Sequence, residues 1–195
     1  AVPPTPISTI AAPTATPVAS TQLHLSSSSG GAVAGIEFAD EDIVTFDLAT
    51  EAWQLLFDGP DVGLRRDVDA VAVLDNARLL LSLDKSSNVP GLGRVDDSDI
   101  LLFIADSLGT ETNGRFVWFV DGSDIGLTES EEDIDGITIL PNGRLLLSTS
   151  GSFEVDGPNG EIEGEDEDLL LFNPTALGEE TAGIWEFYFD GSDIG

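Results

Sequence analysis

Four kinds of short segment recur along the chain in constant order, and this self-similarity limits the possible folds more than any single stretch does. The first kind is "DVDAVAVLDN" from Asp67 and "DIDGITILPN" from Asp133. The second is "TQLHLS" from Thr21, "ARLLLS" from Ala77 and "GRLLLS" from Gly143. The third is "DEDIVTF" from Asp40, "DSDILLF" from Asp97 and "DEDLLLF" from Asp166. The fourth, "WQLLFDG" from Trp53, "FVWFVDG" from Phe116 and "WEFYFDG" from Trp185, runs into the turns "DGPDVG", "DGSDIG" and "DGSDIG".

These segments are short, rich in Val, Ile, Leu and aromatics, and separated by Gly, Asp, Asn and Ser, with no sustained 3.6-residue period. They predict an all-β chain of tandem four-stranded antiparallel repeats. The units are 21–66, 67–131 and 132–195. The junctions "LDNAR" and "LPNGR" are tight enough for hairpins between first and second strands. First and second strands are apolar on both faces, which suits inner strands covered on both sides. The fourth strand, with Trp185, Phe187 and Phe189 opposite Glu186, suits an outer one.

The stretches "DIDGITILPNGRLLLSTSG", "DEDLLLFNPTALG" and "WEFYFDGSDIG" resemble the blade repeats of secreted bacterial β-propeller-like proteins, distantly similar to NHL and lactonase-type blades. The resemblance spans 21–195 and implies a meander of strands within each blade; it says almost nothing of activity. One departure is plain. The first unit starts at the second strand, because "AAPTATPVAS" carries two prolines where its first strand belongs. About eleven strands are therefore expected, too few for a propeller that closes with at least four blades. Either several chains complete a ring, or the units form a related sheet assembly such as a sandwich or a threefold prism, and an open sheet edge is left wanting a partner.

Residues 1–20 hold five of the ten prolines and no charged side chain. This composition describes an extended linker, an O-glycosylated stalk or an arm that adds a strand to a neighbour's open edge. Methionine is absent even at position 1, as expected of a processed or trimmed chain whose export signal has been removed. An extracellular or cell-surface location follows as the expectation.

Thirty-seven acidic residues against seven basic ones give a formal charge of −30, which excludes nucleic acid and anionic lipid as partners. No apolar run reaches the roughly 20 residues that span a bilayer, so membrane insertion is not expected. Without cysteine, and with His24 as the single histidine, thiol and zinc chemistry lose their parts. His24 aligns with Leu80 and Leu146, so it is expected on a strand face. Trp53, Trp118 and Trp185 sit in fourth strands and are expected in the core, although tryptophans also stack on sugars.

In such a meander the acids fall at one end of the sheets. The candidates are Asp58, Asp61, Asp67 and Asp69; Asp121, Asp124, Asp133 and Asp135; Asp40 with Asp42, Asp97 with Asp99, Asp166 with Asp168; and the closing Asp190 and Asp193. Two carboxylates about 5 Å apart repel by roughly 3 kcal/mol at an effective dielectric near 20, so something must hold them. An oxygen-only donor set points to calcium, and raised pKa values in a solvated surface are the alternative. The pairs written Asp-x-Asp are expected on one side of an extended chain. The glycine of each "DG" is expected to supply a positive φ. "DGSDIGLTESEE" is no EF-hand loop, since Ser123 and Ile125 occupy ligand positions and strands flank it.

A carboxylate pair repeated three times argues against a catalytic pair, which occurs once in a shaped pocket. The sequence thus predicts a non-enzymatic structural subunit of an extracellular filament or surface layer, stiffened by calcium and partnered by its own copies. A glycan-binding propeller-type module is the alternative and a lactonase-like hydrolase a distant third.

Overall fold

The computed structural model describes residues 21–194, so the expected arm at 1–20 lies outside the described residues. The fold is all-β and antiparallel. Unit one holds β1 (Gln22–Leu25), β2 (Gly31–Val33), β3 (Ile36–Phe38), β4 (Ile43–Asp47) and β5 (Ala52–Phe57). Unit two holds β6 (Val68–Asp75), β7 (Arg78–Leu83), β8 (Ser87–Val89), β9 (Gly93–Val95), β10 (Ile100–Ser107) and β11 (Asn113–Val120). Unit three repeats the scheme with β12 (Ile134–Ile139), β13 (Leu145–Thr149), β14 (Phe153–Gly157), β15 (Gly160–Gly164), β16 (Leu169–Ala176) and β17 (Ala182–Phe189).

Each unit is one meander. The two four-stranded sheets run β6-β7-β10-β11 and β12-β13-β16-β17, and among the described residues the first unit has β1-β4-β5. The order read from the repeats therefore holds and no barrel closes among the described residues; the stretch 11–20, where the first unit's first strand is expected to be missing, lies outside them. What the strand count omits is a second small hairpin in each unit, β2-β3, β8-β9 and β14-β15, inserted between second and third sheet strands. The turn of the first of these uses Ala34 and Gly35, both at positive φ (50° and 85°), the geometry that matches the twist of a two-residue hairpin.

Hydrophobic core lies between units and not within them. Strand side chains alternate between faces, so the sheet of unit two presents Leu79, Leu81, Leu101 and Phe103 to Ile43 and Phe57 of unit one. Its opposite face presents Leu80, Ile100 and Leu102 to Leu145, Leu147, Leu170 and Phe172 of unit three. This explains why the second strands read as apolar on both faces. A β-bulge recurs at the end of every fourth strand: Ile100 pairs with Val120 and Leu101 with Trp118, leaving Phe119 as the extra residue. Leu56 and Tyr188 occupy the same place in β5 and β17. A bulge turns the chain enough for two consecutive residues to face the next unit. Phe119 and Val120 are accordingly both fully buried.

The expected aromatic face of β17 is only partly formed. Trp185 and Phe187, paired with Phe172 and Leu170, share one face, Trp185 buried with its ring centroid 4.7 Å from that of Phe172 and Phe187 exposed, while the bulge at Tyr188 sets Phe189 opposite Leu169 on the other face, where it too is exposed. Trp53 stacks on Phe46 at 4.9 Å and is half-buried, as is Trp118. His24 stands on its strand face opposite Thr45, whose Oγ1 lies 2.9 Å from its Nδ1, and burial lowers its pKa.

Candidate functional site

The Asp-x-Asp segments are turns and not extended chain. In each, the amide of the second Asp donates to the carbonyl three residues back: Asp42 to Ala39, Asp99 to Asp96 and Asp168 to Glu165. The two acids therefore do not share a side. The second one folds inward and is buried in all three units.

That buried carboxylate has the same task each time. Asp42 accepts the amides of Ala39 (2.8 Å) and Gly59 (2.9 Å). Asp99 accepts those of Asp96 (2.6 Å) and Gly122 (2.9 Å), and Asp168 those of Glu165 and Gly191 (both 2.9 Å). One side chain thus ties the entry of the third sheet strand to the exit of the fourth. Charge-assisted bonds of this kind are among the stronger hydrogen bonds in proteins. Burial nevertheless pushes Asp99 up to about 6, outweighing the two donors.

The glycine of "DG" is required by this clasp and not by its backbone angle. Gly59 and Gly122 both have φ −64°, so the positive φ expected there is absent. A Cβ on Gly122 would meet the Ser98 carbonyl oxygen at 2.3 Å, and one on Gly191 the Glu167 carbonyl oxygen at 2.3 Å. Positive φ belongs to the later glycines, Gly63 (78°) and Gly126 (95°), which end the 3-10 turns Pro60–Val62 and Ser123–Ile125.

The first acid of each "DG" turn braces that turn. Asp58 accepts the Asp61 amide, Asp121 the amide and hydroxyl of Ser123, and Asp190 the hydroxyl of Ser192. The second acid reaches the following unit. Asp61 accepts the Thr112 amide (3.0 Å) while the Asp58 amide donates to Thr112 Oγ1 (3.0 Å). The next junction repeats both bonds, from Thr181 to Asp124 (2.8 Å) and from Asp121 to Thr181 Oγ1 (2.9 Å). Gly109 and Gly178 add amide bonds to the carbonyls of Leu56 and Phe119. Thr112 and Thr181 escaped the sequence reading, although "LGTET" and "LGEET" stand in equivalent places.

The remaining candidates gather where first strands begin. Val68 donates to the Asp40 carbonyl and Ile134 to the Asp97 carbonyl, both at 3.2 Å, which brings third-strand entries of one unit beside first-strand entries of the next. Carboxylates crowd there. Burial, then the charges of Asp69 and Asp97, push Asp133 up to about 8. Burial, then the charges of Asp84, Asp69 and Asp40, push Asp67 up to about 6. Asp69 is raised as well, first by burial and then by Asp135. Oδ1 of Asp133 and Oδ1 of Asp84 are buried with no hydrogen-bond partner. Asp135 is exposed and accepts the Ser148 hydroxyl, and Asp166 is exposed.

Among the described residues no group of three or more Asp, Glu, His or Cys is arranged to hold a metal ion. Backbone amides hold the carboxylates of Asp42, Asp99 and Asp168, and the raised pKa values of Asp67, Asp69 and Asp133 favour their protonated forms. No helix among the described residues is long and apolar enough to cross a membrane. No protein-family model matches the chain, and no curated protein matches it at a significant level.

Proposed function

We propose that the chain is a non-enzymatic structural subunit of an extracellular bacterial filament or surface layer, joining its copies through the open edge of the first sheet and residues 1–20. The observation that carries this is at β1. Its counterparts β7 and β13 are paired on both sides, whereas among the described residues β1 pairs with β4 alone. Two of its own residues, Leu23 and Leu25, are exposed. A sheet edge can template strand addition, and an uncharged segment is free of the repulsion that separates two surfaces of such negative charge.

Calcium is the cation that an acid-only set would choose. Its place in this proposal narrows to the carboxylates around Asp133, because the clasp carboxylates Asp42, Asp99 and Asp168 already have two amide donors each. The glycan-binding alternative draws support from one feature, an apolar hollow of about 150 Å³ lined by Leu25, Val33, Phe38, Val44 and Trp53 with Ser26 and Ser27 at hand.

Negative-stain micrographs of the whole chain, with and without residues 1–20, test the proposal. Filaments or sheets that vanish on deletion are expected. Assembly unchanged by the deletion would remove the arm, and discrete particles that bind a glycan array would favour the alternative.

A further inference from the structure

Each internal junction has a leading half and a trailing half. The leading half is the bulged end of a fourth strand with its acidic turn: Leu56, Phe57 and Asp61 at the first junction, Phe119, Val120 and Asp124 at the second. The trailing half is the loop between third and fourth sheet strands of the following unit. It reads Leu108-Gly109-Thr110-Glu111-Thr112 in unit two and Leu177-Gly178-Glu179-Glu180-Thr181 in unit three.

Unit three carries a complete leading half. Its Asp168 clasp is closed on Gly191, and the 3-10 turn Ser192–Ile194 is formed. Nothing among the described residues stands against it. Tyr188 is 53% exposed and Phe189 38%, where their counterparts Phe119 and Val120 are at 0%. Ile194 is 76% exposed, where Ile125 is 9%.

We propose that this face is a docking site for a further repeat unit of the same class, one whose third-to-fourth strand loop carries Leu-Gly-x-x-Thr. The two internal junctions are the argument: the same leading half is covered both times by that loop, with the same hydrogen bonds. Unit one of a second copy lacks the means. Its β4–β5 turn is short and closes on itself, with Asp47 accepting the amides of Ala49 and Thr50 (both 2.9 Å). The threonine loops of units two and three are already engaged by their own predecessors. This docking uses unit three and not the β1 edge of unit one, and does not depend on the assembly proposed there.

Gly195 corresponds to Gly126 in the repeat, so a second copy of residues 127–195 appended after Gly195 continues the array in register. With the appended tyrosine changed to Phe, Tyr188 reports alone. One cooperative unfolding transition and Tyr188 shielded from acrylamide are expected. Asp193→Asn should then raise the unfolding equilibrium constant about tenfold in the extended chain and less than twofold in the original. Two separate transitions with Tyr188 still quenched, or equal effects of Asp193→Asn in both chains, would overturn the proposal. The original chain gives an independent reading through Tyr188→Lys with Phe189→Lys. Folding and self-association unchanged by these lysines are expected; self-association abolished by them would make a second copy the occupant and overturn the proposal.

Discussion

Acidic side chains in this protein divide into those that hold backbone amides and those that crowd one another, and the two groups should respond differently to substitution. Asp99 accepts two amides while buried, and bonds to a charged acceptor contribute about 1.5–3 kcal/mol each. Asp99→Ala should cost about 3 kcal/mol in urea unfolding, whereas Asp166→Asn, at an exposed position, should stay within about 0.5 kcal/mol. Asp133, Asp67 and Asp99 carry folded pKa values raised to about 8, 6 and 6 above the ordinary carboxylate value of 3.8. The folded state therefore holds protons that the unfolded chain releases. Their stabilisation is complete below the unfolded value and is lost as pH rises through 6 and 8. Tm should fall from pH 5 to pH 8.5, most of the upper part of that fall should disappear in Asp133→Asn, and a flat profile would refute the assignment. If calcium occupies the Asp133 cluster it displaces those protons, so added calcium should raise Tm more at pH 8 than at pH 5.5. The sequence showed that the acids recur at equivalent turns but not what they do. An Asp-x-Asp read as extended strand is in fact a turn, and only the turn sends Asp42, Asp99 and Asp168 inward.

Strands and their order were legible because every third and fourth strand repeats the same apolar run. The small hairpins were not, although Ala-Val-Ala-Gly-Ile-Glu-Phe at 32–38 alternates as a hairpin should; its strands are too short to stand out beside "GRLLLS". The bulge was also hidden, since it depends on pairing to the neighbouring strand and not on composition. It has a measurable consequence at equivalent positions. Phe119→Ala, at a fully buried bulge residue, should cost about 3–5 kcal/mol, while Tyr188→Ala at the same place in unit three should change stability by less than about 1 kcal/mol. Similar losses at both would mean that the last sheet face is already covered.

At the scale of the whole molecule, each junction combines an apolar interior with a polar latch, and neither unit face is sealed without its neighbour. Stability in such an array is a sum of unit and interface terms. The latch residues at the second junction, Asp124 and Thr181, test this most directly in urea unfolding, each substituted alone. Asp124→Asn takes the charge from the acceptor of the Thr181 amide and Thr181→Val removes the hydroxyl that accepts the Asp121 amide, and each should cost about 1–2 kcal/mol, whereas Asp193→Asn in the same chain should change stability by less than about 0.5 kcal/mol. Losses at Asp124 and Thr181 no larger than the loss at Asp193 would contradict the claim that these acidic turns are the joints of the array.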